Sequence, residues 1–445
     1  MRPFKKSTLI FVIILSAIAF RSNSQTWTGF NGGANGVVSA FDSCNGLLYA
    51  GGSFDTMAGL RIYNLAQWNG TTWSSVGSGI NYIVSALAYS SGNLYAGGYF
   101  DTAGTTQAHL IAQWNGTVWT ALGSGIKGGY VSSLAFYKGI LYAGGSFDTA
   151  GGKAAMNIAQ WNGSAWSAVG AGIGNINGSV AALCVFNGKL VAGGSFDSAG
   201  AVKVHGIAQW DGLNWSALGS GMNLNSNVES FVVDNGSLCA GGFFDTAGGV
   251  PVNNIAQWNG TTWSALGAGV NADVNALALY QGHVCAGGAF SSAGGITVTA
   301  MALWDGSNWQ DMQAGMNSYV SALGVYNGNL FAGGDFDDAG GNYVSHITEY
   351  GISTGIGRQE IRNSLNVYPN PGTGMFMFEI QNTPAPSELV IRNTLGQEIR
   401  RFRLNNHSFG PFTYALDLTD EAPGLYFYTW ISDGSPVSAG KILLR

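Results

Sequence analysis

Short apolar stretches recur along most of the chain, and clusters of Gly, Asn, Ser and Thr separate them. In one unit, the alternation of apolar and polar residues predicts strands at residues 131–136, 140–144, 158–161 and 166–169. Asn162-Gly163 separates the last two strands, and this dipeptide favours a tight hairpin because it tolerates positive φ. The pattern therefore predicts a small four-stranded antiparallel sheet for each unit.

The unit repeats at a nearly constant spacing. An Ala-Gly-Gly triplet begins at seven positions that lie 46 to 49 residues apart: 50, 96, 143, 192, 240, 286 and 332. A tryptophan follows each of the first six triplets, at 68, 114, 161, 210, 258 and 304, and Tyr350 takes the seventh place. Seven copies at this period predict either a propeller or a solenoid.

The two ends of the repeat region distinguish between these folds. The seventh unit ends near Gly351 without a fourth strand, whereas Thr26-Trp27 matches the fourth-strand motif Thr72-Trp73. A closed ring gains from this arrangement, because the first strand of the chain can then pair with the free edge of the last sheet. We therefore predict an all-β chain in which residues 25–351 form a seven-bladed β-propeller closed by the N-terminal strand.

The double glycine, followed by an aromatic residue and then a tryptophan, resembles the repeats of kelch and galactose-oxidase-type propellers across residues 25–352. The resemblance implies an architecture rather than an activity, because such propellers include enzymes, adhesion modules and scaffolds. A copper oxidase of this type needs clustered His and Tyr ligands with a cross-linked Cys. The positions of the five His and four Cys residues do not match that set, so oxidase activity is disfavoured.

The N-terminus has the composition of a secretory signal peptide. Lys5 and Lys6 precede an apolar run at residues 9–20, and small residues follow at Ser22 and Ser24. We expect residues 1–24 to be removed before Gln25. No later segment is long and apolar enough to span a bilayer, so we expect no membrane span in the mature chain.

A different signature begins after the repeats. Residues 365–371 read Leu-Asn-Val-Tyr-Pro-Asn-Pro, and the later elements are Pro423-Gly424-Leu425-Tyr426 and Gly440-Lys441. This signature resembles the type A C-terminal sorting domain of the Bacteroidetes type IX secretion system. The resemblance implies recognition by the type IX secretion machinery and a secreted or outer-surface location. The residues that carry it are Tyr368, Pro369, Asn370, Pro371, Gly424, Gly440 and Lys441.

The alternating pattern of the same region predicts a small C-terminal β-sandwich at residues 363–445, after a linker at residues 352–362. An immunoglobulin-like appendage without a sorting role is the alternative. The charge also changes at this boundary: residues 25–357 carry six basic and 16 acidic residues, whereas the remainder is balanced. Nucleic acid is therefore not an expected partner of the propeller.

Candidate chemistry is sparse. Cys239 and Cys285 share one repeat position and are interpreted as buried apolar residues in preference to an inter-blade disulfide. The Asp of the recurring Phe-Asp-Thr/Ser-Ala-Gly motif is interpreted as a turn residue that accepts backbone N–H bonds, with calcium binding as the alternative. We predict no catalytic residues, no metal site and no cofactor.

Two sets of loops differ most between units: the link between strands two and three, and the connection to the next unit. Both sets lie on one face of a propeller, and here they are rich in Asn and Tyr with few charges, which suits a neutral polar ligand such as a glycan. Unconstrained drift of the loops is the alternative. The candidate ligand-binding residues are Tyr63, Asn81, Tyr82, His109, Tyr130, Asn177, His205, Asn225, Asn253, Tyr319 and Tyr343.

The sequence thus favours a secreted or cell-surface propeller that acts as a binding or adhesion module for polysaccharide or a surface protein. Two alternatives remain open. One is an extracellular polysaccharide lyase or hydrolase, and the other is a structural protein of the envelope or matrix.

Overall fold

The computed structural model describes residues 25–30, 32–174, 178–352, 365–368, 370–380, 387–404, 412–432 and 435–445. The predicted signal peptide and residues 353–362 of the predicted linker lie outside this range. Residues 25–352 contain seven four-stranded antiparallel sheets that follow one another as the blades of a propeller. Blade one begins at Val38, and the seven blades agree with the all-β prediction.

Within each blade, strand one is innermost, because it contacts the first strands of both neighbouring blades. The first strands are Val38–Cys44, Ile83–Ser90, Tyr130–Tyr137, Ser179–Phe186, Asn227–Asp234, Val274–Tyr280 and Val320–Tyr326. The second strands are Leu47–Gly52, Asn93–Tyr99, Ile140–Ser146, Lys189–Ser195, Ser237–Phe243, His283–Gly288 and Asn329–Gly334. The third strands are Leu65–Trp68, Ile111–Trp114, Ile158–Trp161, Ile207–Trp210, Ile255–Trp258, Met301–Trp304 and Ile347–Ile352. The outermost fourth strands are Trp73–Ser75, Trp119–Ala121, Trp166–Ala168, Trp215–Ser216, Trp263–Ala265, Trp309–Asp311 and Gln25–Gly29.

Each link between strands two and three contains a further two-stranded hairpin that the sequence pattern did not predict. Its strands are only two residues long, so they carry no readable alternation. The hairpins are Thr56–Met57 with Leu60–Arg61, Thr102–Ala103 with Thr106–Gln107, Thr149–Ala150 with Lys153–Ala154, Ser198–Ala199 with Val202–Lys203, Thr246–Ala247 with Val250–Pro251, Ser292–Ala293 with Ile296–Thr297, and Asp338–Ala339 with Asn342–Tyr343. A further short strand, Ile126–Lys127, pairs with the hairpin of blade three.

The N-terminal strand is the fourth strand of blade seven. It runs antiparallel to Ile347–Ile352, with Trp27 opposite Tyr350. Blade seven also packs on blade one, because the ring centroids of Phe331 and Phe41 lie 6.4 Å apart and the Tyr326 hydroxyl donates to the Gly46 carbonyl over 2.8 Å. The first strand of the chain therefore supplies the fourth strand that the seventh unit lacks, as the sequence predicts.

The fourth-strand tryptophans join neighbouring blades. Trp166 Nε1, for example, donates to the Leu122 carbonyl of the preceding blade over 2.7 Å, and its ring lies 5.4 Å from that of Trp161. Trp27 Nε1 makes the equivalent bond to Met312 O over 2.7 Å, although it comes from the start of the chain. Trp73 differs, since its buried Nε1 has no hydrogen-bond partner among the described residues. The fourth-strand tryptophans therefore pack between neighbouring sheets.

The C-terminal region forms two sheets that share one core. One sheet contains Leu365–Tyr368, Met375–Ile380 and Phe412–Asp417. The other contains Glu398–Leu404, Ser387–Arg392, Gly424–Ser432 and Ser435–Leu444. Phe376, Phe378, Leu389, Ile391 and Trp430 pack together between the sheets and are fully buried. This is the β-sandwich that the alternating pattern predicts.

Candidate ligand-binding cleft

The variable loops lie side by side because the connection into each blade pairs with that blade's small hairpin. Ile80 bridges to Ala103 in blade two, and Ile126 pairs with Ala150 in blade three. The hairpin and the connection therefore form one continuous surface, here called the loop face. This arrangement matches the expectation that both loop sets share one face.

An asparagine on each of several connections fixes this surface. Asn81 Oδ1 accepts hydrogen bonds from the backbone N–H groups of Asp101 and Thr102, and its Nδ2 donates to Asp101 Oδ1 over 2.7 Å. The same position holds Asn35, Asn223, Asn271 and Asn317 in other blades. The repeated aspartate thus has a structural role, but its partner differs from the one predicted. In blades one, two and seven it accepts from an asparagine amide, and that asparagine accepts the backbone N–H bonds.

A cleft of about 680 Å³ opens on the loop face between blades two and three. This volume lies within the range of roughly 300–1,000 Å³ that is typical of small-molecule sites. Its lining combines aromatic, charged and apolar groups from both loop sets. The lining residues are Asn81, Tyr82, Tyr99, Phe100, Asp101, His109, Leu110, Ile126, Lys127, Gly128 and Gly129.

Two tyrosine rings form the aromatic part of the cleft. Tyr82 and Tyr99 are 53% and 54% exposed, although large aromatic side chains gain from burial. Their ring centroids lie 5.7 Å apart at an interplanar angle of 59°. Because the rings are tilted and half exposed, each keeps apolar surface available for a ligand that has a flat C–H face.

The polar groups of the cleft supply both donors and acceptors. Thr102 Oγ1 and Asn81 Nδ2 donate to the Asp101 carboxylate, and these bonds lower the pKa of Asp101. Asp101 is therefore charged at neutral pH, with Oδ1 as the acceptor of both bonds. His109 and Lys127 complete the polar lining. Such a set can accept a hydrogen bond from one hydroxyl of a ligand while it donates to another.

Blade three contributes a longer connection to the cleft than blade two does. Its connection, Lys127-Gly128-Gly129-Tyr130, is one residue longer than Asn81-Tyr82-Ile83 of blade two. A Cβ atom on Gly129 would lie 1.9 Å from the Ser146 carbonyl oxygen, and one on Gly128, whose φ is +93°, would lie 2.4 Å from an Asp148 carboxylate oxygen. Only glycine fits at these two positions, so the paired glycines allow the longer connection to lie close to the sheet.

The structure brings three of the predicted ligand-binding residues together in this cleft: Asn81, Tyr82 and His109. The others lie elsewhere on the loop face or outside the described residues. Tyr130 is next to the cleft but does not line it. The remaining predicted residues belong to other blades: Tyr63, His205, Asn225, Asn253, Tyr319 and Tyr343. Asn177 lies outside the described residues.

Some of these residues have structural contacts. Asn253 Nδ2 donates to the Ala268 carbonyl over 2.9 Å, and the Arg61 guanidinium lies 5.3 Å from the Tyr63 ring centroid. Burial and the neighbouring Asp335 carboxylate raise the pKa of Tyr319. The predicted residues are therefore distributed around the ring rather than gathered into one site.

Sequence reasoning missed Tyr99, Asp101 and Lys127 as members of one cleft. Tyr99 is the last residue of a second strand, and the equivalent positions hold Ser53, Ser146, Ser195, Phe243, Ala289 and Asp335. The signal was present as a departure from the repeat, because a bulky residue stands where most blades have a small one. Tyr99 forms an aromatic site only together with Tyr82, and the sequence alone does not show that the two rings are neighbours.

A carboxylate pair is formed by Glu229, on the first strand of blade five, and Asp273, just before the first strand of blade six. Glu229 occupies the bulge of its strand, and Asn227 Nδ2 donates to Glu229 Oε1. Burial and the nearby Asp273 carboxylate raise the pKa of Glu229. Other blades place hydrogen-bond donors in the same bulge: Ser132 Oγ and Asn275 Nδ2 donate to Val180 O and Val320 O of the next blade. We therefore interpret Glu229 as part of the contact between blades.

All four cysteines are free. Cys239 and Cys285 are buried, and burial raises the pKa of each thiol to about 12. This agrees with the interpretation of the two residues as small apolar side chains. The described residues contain no group of three or more His, Cys, Asp or Glu side chains that could hold a metal ion.

The predicted sorting motif joins the opening of the C-terminal sandwich to its last strand. Asn370 Nδ2 donates to Lys441 O over 2.7 Å, and Leu443 N donates to Asn370 Oδ1 over 2.9 Å. A Cβ atom on Gly440 would lie 2.4 Å from the Tyr428 hydroxyl, so glycine is required there. Tyr368 is partly exposed, and Pro369 lies outside the described residues. Asn370 and Gly440 thus have structural reasons for their identity.

Comparison with known proteins identifies this C-terminal region. Residues 366–445 match the family described as the secretion system C-terminal sorting domain. No curated protein shows a significant sequence match to the chain.

Several solved structures are distantly similar to the chain. A computationally designed protein, Ika8, has a TM-score of 0.44 and 16% identity, with 74% of this chain and 99% of Ika8 covered. PorZ, a surface component of the type IX secretion system of Porphyromonas gingivalis, has a TM-score of 0.44 and 14% identity, with 94% of this chain and 60% of PorZ covered. BamB from Moraxella catarrhalis has a TM-score of 0.32 and 9% identity, with 74% of this chain and 98% of BamB covered. The strand pairing itself, rather than these distant likenesses, defines the fold.

The sorting-domain match determines where the protein goes. Among the described residues, no helix has the length and apolar character needed to cross a membrane. Residues 366–445 form a C-terminal sorting domain, and the protein is exported through the type IX secretion system to the cell surface or beyond it.

Proposed function

We propose that the exported propeller is a binding module that takes a glycan in the cleft between blades two and three. The observation that carries this proposal is the pair of half-exposed rings, Tyr82 and Tyr99, beside the polar side chains of Asp101, His109 and Lys127. Sugar rings present an apolar C–H face and a rim of hydroxyls. Aromatic side chains with a few well-placed polar groups are suited to such ligands.

Export supports this proposal, because polysaccharides and other glycans are accessible to a protein at the cell surface or outside the cell. The fixed Asp101 carboxylate adds a second argument. Thr102 and Asn81 hold it in one orientation, so a ligand hydroxyl meets an acceptor that is already positioned. Adhesion to a glycan-coated surface, or capture of free polysaccharide, would follow from the same contact.

The test is a glycan-array and polysaccharide pull-down screen with residues 25–445, followed by the variants Tyr82→Ala and Tyr99→Ala. We expect at least one glycan class to bind the unaltered chain. Each substitution should weaken that binding by about ten- to a hundredfold, because a stacked aromatic ring contributes on the order of 1–3 kcal/mol.

Tyr319→Ala is the matched control, since Tyr319 is also a partly exposed tyrosine of the loop face but lies in blade seven. It should leave binding unchanged. If no glycan binds, or if Tyr319→Ala weakens binding as much as Tyr82→Ala does, the cleft is not the glycan site. A protein ligand or a structural role would then be the better account.

A further inference from the structure

Lys127 lines the cleft at a position where five other blades have asparagine. Five connections place asparagine at this position, where its amide fixes the hairpin of the same blade. Blade three has Lys127 instead, and its backbone keeps the equivalent pairing with Thr149. A lysine ammonium has no acceptor atom, so it cannot accept the two backbone N–H bonds that the asparagine accepts. Gly174 takes this position in blade four, so Lys127 is the charged residue among the seven equivalents. Departures from a repeat are expected at functional sites.

The charge of Lys127 has no partner within the part of the chain that the structure describes. Its ammonium forms no ion pair or hydrogen bond among the described residues, and its side chain is exposed. Of the acidic residues on this part of the loop face, Asp101 accepts hydrogen bonds from Thr102 and Asn81, and Asp148 lies against Gly128. Residues 25–357 contain only six basic residues against 16 acidic ones. A basic side chain is therefore uncommon in the propeller, and one of the six lines the cleft.

We propose that Lys127 binds the anionic group of an acidic sugar, so that the cleft selects glycans that carry carboxylate or sulfate. This inference rests on the proposed glycan-binding function. The sugar ring lies on Tyr82 and Tyr99, a hydroxyl donates to Asp101, and the ammonium of Lys127 meets the anion. The net negative charge of the propeller does not prevent this, because charges beyond about 8 Å are largely screened at physiological ionic strength.

The test measures equilibrium binding of three oligosaccharides to residues 25–445 in 0.15 M NaCl: oligogalacturonate, a sulfated galactan oligosaccharide and a neutral galactan of equal length. The variants are Lys127→Gln and Lys127→Arg. We expect at least one acidic probe to bind more tightly than the neutral one. Lys127→Gln should weaken acidic binding by about ten- to a hundredfold, as loss of a charge-assisted hydrogen bond does. It should change neutral binding less than about twofold.

Lys127→Arg should retain acidic binding, because it keeps the positive charge. Lys203→Gln is the matched control, since Lys203 is a lysine of the small hairpin of blade four and does not line the cleft. A carboxylate ligand is indicated if oligogalacturonate is preferred, and a sulfate ligand if the sulfated probe is preferred.

Two results would overturn the inference while the proposed function survives. One is equal affinity for neutral and acidic probes, and the other is acidic binding that Lys127→Gln leaves unchanged. The absence of binding to any glycan would instead contradict the proposed function itself.

Discussion

Asparagine side chains hold the loop face together because one amide can both accept and donate hydrogen bonds. Asn35, Asn81 and Asn317 each accept two backbone N–H bonds of the following hairpin and donate to its aspartate. In these three blades the aspartate receives the asparagine amide, and this contact gives it a structural role without a calcium ion. Where lysine replaces the asparagine, in blade three, the amide contact is lost and the side chain is free for other use.

Asp42 gives a pH prediction at the residue scale. It lies in the first strand of blade one, and burial raises its pKa from 3.8 to about 6, against the opposing effect of backbone hydrogen bonds from Ser43 and Tyr89. As pH rises from about 4, the unfolded chain releases this proton first, so the free energy of unfolding falls until the folded pKa is passed. Asp42→Asn removes this loss and should raise the free energy of unfolding at pH 7 by up to about 3 kcal/mol.

Urea denaturation of Asp42→Asn and the unaltered chain at pH 4 and pH 7 checks this expectation. The two proteins should differ much less at pH 4 than at pH 7. Equal stability of the two proteins at pH 7 would contradict the assignment of a partly buried, proton-binding carboxyl group.

At the scale of single residues, the sequence predicts the site only in part. Tyr82 and His109 were accessible to sequence reasoning because they lie on loops that differ between repeats. Tyr99 was not, because it ends a strand, and strand residues are interpreted first as packing residues. The path of the connection that lines the cleft also depends on Gly128 and Gly129, because a Cβ atom there would clash with Asp148 or with the Ser146 carbonyl, and no pattern of hydrophobic and polar residues encodes this.

At the scale of elements, the four-stranded sheet was predictable and the small hairpins were not. In blade three, the third strand Ile158–Trp161 has the predicted bounds. The second strand of that blade ends at Ser146, two residues later than predicted. Long alternating runs specify a strand because every second side chain is buried. A two-residue strand has no such run, so its pairing is set by neighbouring backbone and by the asparagine contacts.

Trp166 tests how the blades are joined. Its side chain is 2% exposed and donates to the preceding blade. Trp166→Ala should lower the free energy of unfolding by about 3–5 kcal/mol, because it leaves a large cavity and an unpaired carbonyl. Trp166→Phe keeps most of the packing and should cost less. Urea denaturation compares the two variants, and equal effects of both substitutions would contradict a packing role for the indole.

At the scale of the whole molecule, closure of the propeller depends on the pairing of its first strand with blade seven. The first strand supplies five register pairs to blade seven, from Gln25 opposite Ile352 to Gly29 opposite Thr348. The sequence predicts this pairing because the missing fourth strand and the extra tryptophan are both visible at the ends of the repeat. The C-terminal sorting domain was equally predictable, since its opening motif is specific and the family match covers residues 366–445.

Deletion of residues 25–29 tests the pairing. The third strand of blade seven would then become an exposed edge, and the buried Trp27 would be lost with its bond to Met312. We expect a loss of at least about 3–5 kcal/mol and faster hydrogen exchange in Ile347–Ile352. Thr28→Ala is the control, since it removes only a half-buried hydroxyl contact to the Glu349 carbonyl. Unchanged hydrogen exchange after the deletion would argue against the closed ring.

The most direct test of the central claim is a crystal structure of residues 25–445 with the oligosaccharide that binds most tightly. We predict that a sugar ring lies against Tyr82 and Tyr99, with a hydroxyl on Asp101 and an anionic group on Lys127. A sugar bound on another blade, with the cleft between blades two and three empty, would contradict the account.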